Sequence, residues 1–317
     1  KRKGVKMEFK HKPVLLNECI EGLNIKKDGI YVDGTLGGAG HSKEILNHLS
    51  NTGLLIGIDQ DLEALDAAKK NLSSFNNVVY IHDNHDNIDK ILQKLEIQKV
   101  DGILLDLGVS SYQLDEKSRG FSYMEDAKLD MRMDRTKKLT AEEVVNSYTE
   151  EELAKIFFEY GEEKYSKNIA KNICMARKNK KITTTKELVK IIEESIPQSK
   201  QNNGHPAKRT FQAIRIEVND ELRPLHGTIL KSINCLKPEG RLAVITFHSL
   251  EDRIVKNAYI EAVGKCTCPP DIPYCVCGNV SLGKIVNKKP IVANEEEQKS
   301  NSRSRSAKLR IFERNNK

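Results

Sequence analysis

A glycine-rich turn constrains this chain more than any other feature. Residues 31–41 read Tyr-Val-Asp-Gly-Thr-Leu-Gly-Gly-Ala-Gly-His, an apolar run that meets an acid and then four glycines within seven residues. Glycine lets the backbone approach a ligand closely, and the helical pattern that follows offers the N–H groups of its first turn. Together they seat a nucleotide-like cofactor at the edge of a parallel sheet. The plainer reading is a tight turn with no ligand.

The chain around this turn repeats one pattern. Residues 29–36 predict a first strand and 41–49 the helix after it. Residues 54–59 (Leu-Leu-Ile-Gly-Ile-Asp) predict a second strand ending in an acid, and Leu62, Leu65, Ala68 and Leu72 recur at helical spacing. Strands at 78–81 and 101–107, with a helix at 88–95, continue the alternation, and the fourth strand also ends in an acid. A βαβαβαβ order predicts a parallel sheet covered by helices on both faces.

Between residues 113 and 212 the alternation stops and the chain becomes charged and helical. Thr140, Thr149 and Thr184 each stand three residues before a glutamate, the capping-box spacing. Residues 198–209 read as a polar loop, 211–222 and 225–236 as helices, 237–240 as a turn, and 241–247 as a fifth sheet strand. The expected organisation is one α/β domain made of 1–112 and 213–317, with an all-helical insertion at 113–212. Apolar runs at 284–292 and 307–312 predict a closing antiparallel pair, and the polar stretch 294–306 between them reads as mobile.

Composition narrows the setting. A net charge of +7 over 317 residues is compatible with a polyanionic partner without proving one. No run of eighteen apolar residues exists, so no membrane span is expected, and no secretory segment is visible near residue 1. Seven cysteines without an export signature suit a reducing cytoplasm. Residues 1–6 are mostly basic, precede Met7, and read as an extension or arm.

The identity of the cofactor turns on two acids. The glycines at 34, 37, 38 and 40 miss the strict Gly-x-Gly-x-x-Gly spacing of a dinucleotide site. Asp59, at the tip of the second strand, stands where a ribose-binding acid belongs in both nicotinamide and S-adenosylmethionine enzymes. Asp106, at the tip of the fourth, favours the second class: it lies beside the reactive end of the cofactor, where it can bind an ammonium or a substrate amine. Hydride transfer has no general need of it. A surface acid and a turn cap are the plainer readings of Asp59 and Asp106.

These residues fall within segments that resemble the bacterial 16S ribosomal RNA cytosine-N4 methyltransferases. The segments are 11–16 (His-Lys-Pro-Val-Leu-Leu), 33–41, 101–115 (DGILLDLGVSSYQLD), 119–122 (Arg-Gly-Phe-Ser), 129–134 (Leu-Asp-Met-Arg-Met-Asp), 210–215 (Thr-Phe-Gln-Ala-Ile-Arg) and 246–253 (Thr-Phe-His-Ser-Leu-Glu-Asp-Arg). The resemblance implies a class I methyltransferase fold, Rossmann-like with a mostly parallel sheet, and a helical insertion at 113–212 that serves as the RNA-recognition subdomain. It implies S-adenosylmethionine as cofactor, and a cytosine near the decoding site of 16S rRNA or the small ribosomal subunit as substrate. Carried over by position, the cofactor site falls on Gly38, Ala39, Gly40, His41, Asp59, Asp106 and Gln113. The family's adenine-stacking aromatic falls on His85, a departure; imidazole can still stack. A homodimer is compatible with this reading. The rival readings are an NAD-dependent oxidoreductase and a non-catalytic RNA-binding assembly factor.

Cytosine N4 is a poor nucleophile because its lone pair is delocalised into the ring. An acceptor near the amine can localise that pair, and Asp106 is the first candidate. The Pro-Pro-aromatic motif of DNA amino-methyltransferases is missing after Asp106, so Tyr112, Phe121 and Phe247 are candidates for the wall that stacks the base. His248, Ser249 and Asp252 follow the fifth strand and are candidates for contact with base or RNA, with His248 a secondary candidate base. Arg132, Arg135, Lys208, Arg209, Arg215 and the 302–310 tail are candidate phosphate contacts, or a solvated basic face. Cys266, Cys268, Cys275 and Cys277 have the number of thiols for a tetrahedral zinc site, but at C-x-C spacing; reduced thiols in a loop are the favoured reading and no metal is assigned. Cys19, Cys174 and Cys235 sit in helical apolar patterns and read as core.

Overall fold

The computed structural model describes residues 13–201, 204–264 and 280–316. In chain order its elements are α1 (Leu16–Leu23), β1 (Ile30–Asp33), α2 (Gly40–His48), β2 (Leu54–Asp59), α3 (Leu62–Asn71), β3 (Val78–His82), α4 (Ile88–Lys94) and β4 (Val100–Asp106). There follow α5 (Ser111–Asp115), α6 (Ala141–Ser147), α7 (Glu150–Glu159), α8 (Ser166–Asn179), α9 (Thr185–Ser195), α10 (Lys208–Asn219) and α11 (Leu225–Cys235). The chain ends with β5 (Leu236–Thr246), α12 (Ser249–Val263), β6 (Gly283–Ile285), α13 (Glu295–Ser300) and β7 (Lys308–Arg314). It divides into two compact units, one of residues up to 59, 65–107 and 228 onward, the other of 60–64 and 108–227.

The first unit carries a seven-stranded sheet in the order β3-β2-β1-β4-β5-β7-β6. β1 to β5 pair in parallel, whereas β7 runs antiparallel to β5 and β6 antiparallel to β7. This is the mostly parallel sheet that the alternating strand and helix pattern predicted. Every β4 residue from Val100 to Leu105 is buried, as expected of a parallel strand covered on both faces. Leu104 packs in one cluster with Leu15, Tyr31, Ala243 and Ile311. The strand order reverses between β1 and β4, and ligands of such sheets bind at the carboxyl ends beside that point.

Two expectations are corrected here. The turn at 237–240 does not interrupt the sheet. It is absorbed into β5 as an irregularity, with the β4 pairing jumping from Val100–Leu236 to Gly102–Arg241 and Glu239 at a φ of 63°. The polar stretch 294–306 is built as α13 and a 3-10 turn at Ser302–Ser306. Asn294 caps α13, Glu297 Oε1 accepts from the Leu15 amide at 2.9 Å, and Ser304 is buried. Short side chains that hydrogen-bond their own backbone made this stretch look like a loop.

The second unit is helical from α5 to α10, around a core that includes Leu129, Val144, Phe157, Ile173, Leu188 and Phe211. Thr149 and Thr184 form full capping boxes, while Thr140 caps α6 with its hydroxyl alone. Arg119, 1% exposed, is its main buried charge. Its Nη1 lies 2.9 Å from both Asp61 and Glu63, and its Nη2 donates to the carbonyls of Arg132 and Met133. A guanidinium so enclosed is tolerated only with such partners. Cys19 and Cys235 are buried and Cys174 is half-buried.

Asp252, in the first turn of α12, ties that helix to β7. Its carboxylate accepts from Arg310 Nε at 2.6 Å and Lys308 Nζ at 3.3 Å. Burial would raise its pKa, but the hydrogen bond and charge of Arg310, with Lys308, outweigh that and hold it below the ordinary range. The pair's contribution is therefore complete above the unfolded value of about 4 and is lost as pH falls through the lower folded value. Asp252→Asn is expected to cost about 2–3 kcal/mol at neutral pH, read by urea denaturation, and the gap to the native chain should narrow in acid. An equal gap at both pH values contradicts this assignment.

Candidate active site

The carboxyl ends of four neighbouring strands carry the site, and three of them end in an acid: Asp33 on β1, Asp59 on β2 and Asp106 on β4. Each is used differently. Asp33 is 2% exposed and builds the turn: its Oδ1 accepts from the Thr35 amide at 3.1 Å, and its Oδ2 from Ser42 Oγ at 2.6 Å. Burial raises its pKa, while Ser42 and the neighbouring His41 pull it back. Thr35 Oγ1 in turn accepts from the Asp106 amide at 2.6 Å, which bolts the end of β4 to the turn after β1.

The turn itself follows from close approaches. A Cβ on Gly34 would lie 2.5 Å from Leu105 Cδ2 and 3.1 Å from the His85 Cβ, so only glycine passes there. Gly37 and Ala39 both take positive φ, 47° and 62°. For alanine that is a strained conformation of the kind found at ligand-binding turns. A Cβ on Gly38 would meet nothing within 4 Å, and no side chain caps the N-terminus of α2. Asp59 Oδ2 accepts from the Gly37 amide at 2.8 Å, so this acid also shapes the turn.

Asp106 is the least compensated group. Its side chain is 24% exposed, yet Oδ1 is enclosed and has no hydrogen-bond partner among the described residues. Oδ2 lies 3.9 Å from His41 Nδ1. The His41 Nε2 is 2.9 Å from the carbonyl oxygen of Val14, which can only accept, so Nε2 carries a proton and Nδ1 faces Asp106. Burial raises the Asp106 pKa; His41 and Arg303 oppose it, and Asp33 and Glu251 add to it. A buried carboxylate with an idle oxygen suits a ligand that brings a cation or an N–H donor.

His85 stands in a 3-10 turn beside the glycine turn, with Nε2 3.8 Å from Asp86 Oδ1. Gln113 belongs to the helical unit, and both ends of its amide are engaged. Oε1 accepts from the Ser110 amide in a capping box, and Nε2 donates to Asp61 at 2.9 Å.

Several sequence candidates make structural contacts. His248 is the N-cap of α12, its Nε2 3.0 Å from Glu251 Oε1, and Ser249 is the first residue of that helix. Asp252 is taken up by Arg310 and Lys308. Phe121 is buried in the helical core with the Arg119 guanidinium 5.9 Å from its ring, and Phe247 lies under the guanidinium of Arg303 at 5.5 Å. Tyr112 stays 38% exposed. Arg132 is paired with Asp130, Arg135 with Glu63, and Arg215 forks onto Glu221 at 2.9 Å twice. Arg209 donates to the Glu162 carbonyl, and Lys208 is exposed. Cys266, Cys268, Cys275 and Cys277 lie outside the described residues. Among the described residues, no His, Cys, Asp and Glu gather as a metal site.

Sequence reading missed Thr35 and Ser42, and it took Arg303 only as part of the 302–310 tail, a candidate phosphate contact. A hydroxyl two residues after the Asp33 acid and another at the start of α2 were the available signals for the first two. Nothing local marked Arg303, since its place depends on the strand that follows it.

Comparison with known proteins bears on this geometry. The MraW methylase family matches residues 8–315. A protein of Clostridium botulinum (strain Kyoto / Type A2), called ribosomal RNA small subunit methyltransferase H, is 62% identical over 305 residues, covering 96% of this chain and 99% of the relative. A protein of the same name from Lachnospira eligens is 57% identical over 313 residues, covering 98% of this chain and 99% of the relative. With a match over nearly its whole length, the chain belongs to the MraW methylase family.

Proposed function

We propose that this chain transfers a methyl group from S-adenosylmethionine to the exocyclic N4 of a cytosine in 16S rRNA, near the decoding site of the small subunit. The observation that carries the reading is the enclosed, unpartnered oxygen of Asp106 at the end of β4, with β1 and its glycine turn between it and the acid-tipped β2. The near-full-length match to relatives called ribosomal RNA small subunit methyltransferase H supports it. A dehydrogenase has no use for Asp106, and an assembly factor has no need to keep the turn and both acids.

The residues present fit the cofactor. The positively charged sulfonium offers its methyl carbon to in-line displacement by an amine. The turn at Gly38, Ala39 and Gly40 and the uncapped start of α2 would take its polar end, Asp59 its ribose hydroxyls and His85 the face of its adenine. Gln113 is a further candidate contact by position. Asp106 would accept a hydrogen bond from N4, localise the lone pair, and take the departing proton as the N–C bond forms and the S–C bond breaks. A carboxyl whose pKa is raised by burial is the better proton acceptor for that step. His41 Nδ1, 3.9 Å from Asp106 Oδ2, would help to hold the carboxylate in place. The target base must leave its stack to reach the methyl group.

The helical unit would recognise RNA through exposed basic side chains such as Lys208, and the reaction belongs to the cytoplasm, where the ribosome is made. No described helix is long and apolar enough to cross a membrane. A homodimer remains an expectation, to be read by sedimentation.

The test is mass spectrometry of small-subunit rRNA from cells lacking the protein and from cells supplied with the native chain or Asp106→Asn. Native chain should restore N4-methylcytosine, and the variant should be at least about 10²-fold slower with purified subunits. Near-native turnover would refute the role of Asp106. Asp59→Ala should weaken cofactor binding by about 1–3 kcal/mol in calorimetry, through loss of charged hydrogen bonds. An unchanged dissociation constant would place the ribose elsewhere.

A further inference from the structure

Arg303 comes from the segment that the sequence left as a tail, yet its surroundings are built. It sits in the 3-10 turn Ser302–Ser306, where its amide donates to Asn301 Oδ1 at 3.2 Å. Ser304 Oγ donates to the Asn301 carbonyl, Arg305 Nε to the Gln298 carbonyl, and Ala307 is buried just before β7. The guanidinium lies over the ring of Phe247, the residue that follows β5, with 5.5 Å between its Cζ and the ring centroid. A cation over an aromatic face is held by the ring's quadrupole. β4 and β5 are paired so that Asp106 stands opposite Ile245, two residues before Phe247.

Asp106 needs a fixed cation. Asp33 and Glu251 act on it as like charges, and Cys19 is buried near enough that Asp106 raises the thiol's pKa further. His41 and Arg303 act on it in the opposite sense, and Glu251 is itself paired with His248. A guanidinium is charged at every pH at which the reaction could run. In methyl transfer the sulfonium's positive charge would pass to the methylated amine and leave with the proton that Asp106 accepts, so a cation of the protein's own would serve to keep Asp106 ionised before the transfer.

We propose that Arg303, held on Phe247 by the C-terminal turn, is a positioning residue for methyl transfer, the permanent cation that serves the Asp106 carboxylate. This rests on the reading of Asp106 as the group that accepts from the amine.

The experiment is single-turnover methyl transfer to purified small subunits across a pH series, with the native chain, Arg303→Gln, Arg303→Lys, Phe247→Leu and Asp106→Asn. Loss of the cation raises the acid limb of the Arg303→Gln profile by about one pH unit. Its rate should be about tenfold low on the acid side and recover as pH rises. Arg303→Lys should restore most of the profile, and Phe247→Leu, which keeps the cation but removes its shelf, should shift the limb partway. A Gln variant slowed by one factor at every pH, or not slowed at all, overturns the proposal; if Asp106→Asn is inactive in the same series, the reading of Asp106 survives. A fully active Asp106→Asn overturns both.

Discussion

The hydrogen bond from the Asp106 amide to Thr35 Oγ1 is the tie on which the site depends. It joins the ends of β1 and β4, the two strands between which the sheet reverses its order. Asp33 extends the tie by holding the Thr35 amide and the Ser42 hydroxyl, so the glycine turn, the start of α2 and the tip of β4 move as one piece. Asp59 adds a fourth anchor through the Gly37 amide. These are charge-assisted or buried bonds, the kind whose loss costs most. What they hold in place is an oxygen of Asp106 that the protein leaves unsatisfied.

That arrangement separates two uses of acidic side chains. Asp33 is consumed by the fold: both oxygens are engaged and the side chain is 2% exposed. Asp106 keeps one enclosed oxygen without a partner, and its other oxygen lies 3.9 Å from His41 Nδ1. A buried polar atom with no partner is rare in native structures and marks a place where a ligand or chemistry completes the bonding. The helical unit shows the contrasting case, where Arg119 is as deeply buried but is met by two carboxylates and two carbonyls.

Much of this was legible in the sequence because local signals and tertiary roles coincided. The apolar runs that became β1 to β4 are short, end in acids or polar residues, and alternate with helical spacing, so hydrophobic period alone ordered them. The glycine turn was legible because steric demand leaves glycine as the sole choice at Gly34. What stayed hidden depended on distant partners. Arg303 gained its meaning from β7, which pairs 60 or so residues away in sequence with β5. His248 and Asp252 looked reactive by type, but α12 needed a cap and β7 needed a counter-charge. Arg132, Arg135 and Arg215 looked like a basic face because charge counts do not reveal that each has an acid within reach.

The most direct measurement is a crystal structure of the chain with S-adenosylhomocysteine and a cytidine nucleotide. The account predicts the ribose hydroxyls on Asp59, the adenine beside His85, and the cytosine amine within hydrogen-bond distance of the Asp106 carboxylate. A nucleoside seated away from the ends of β2 and β4 would contradict it.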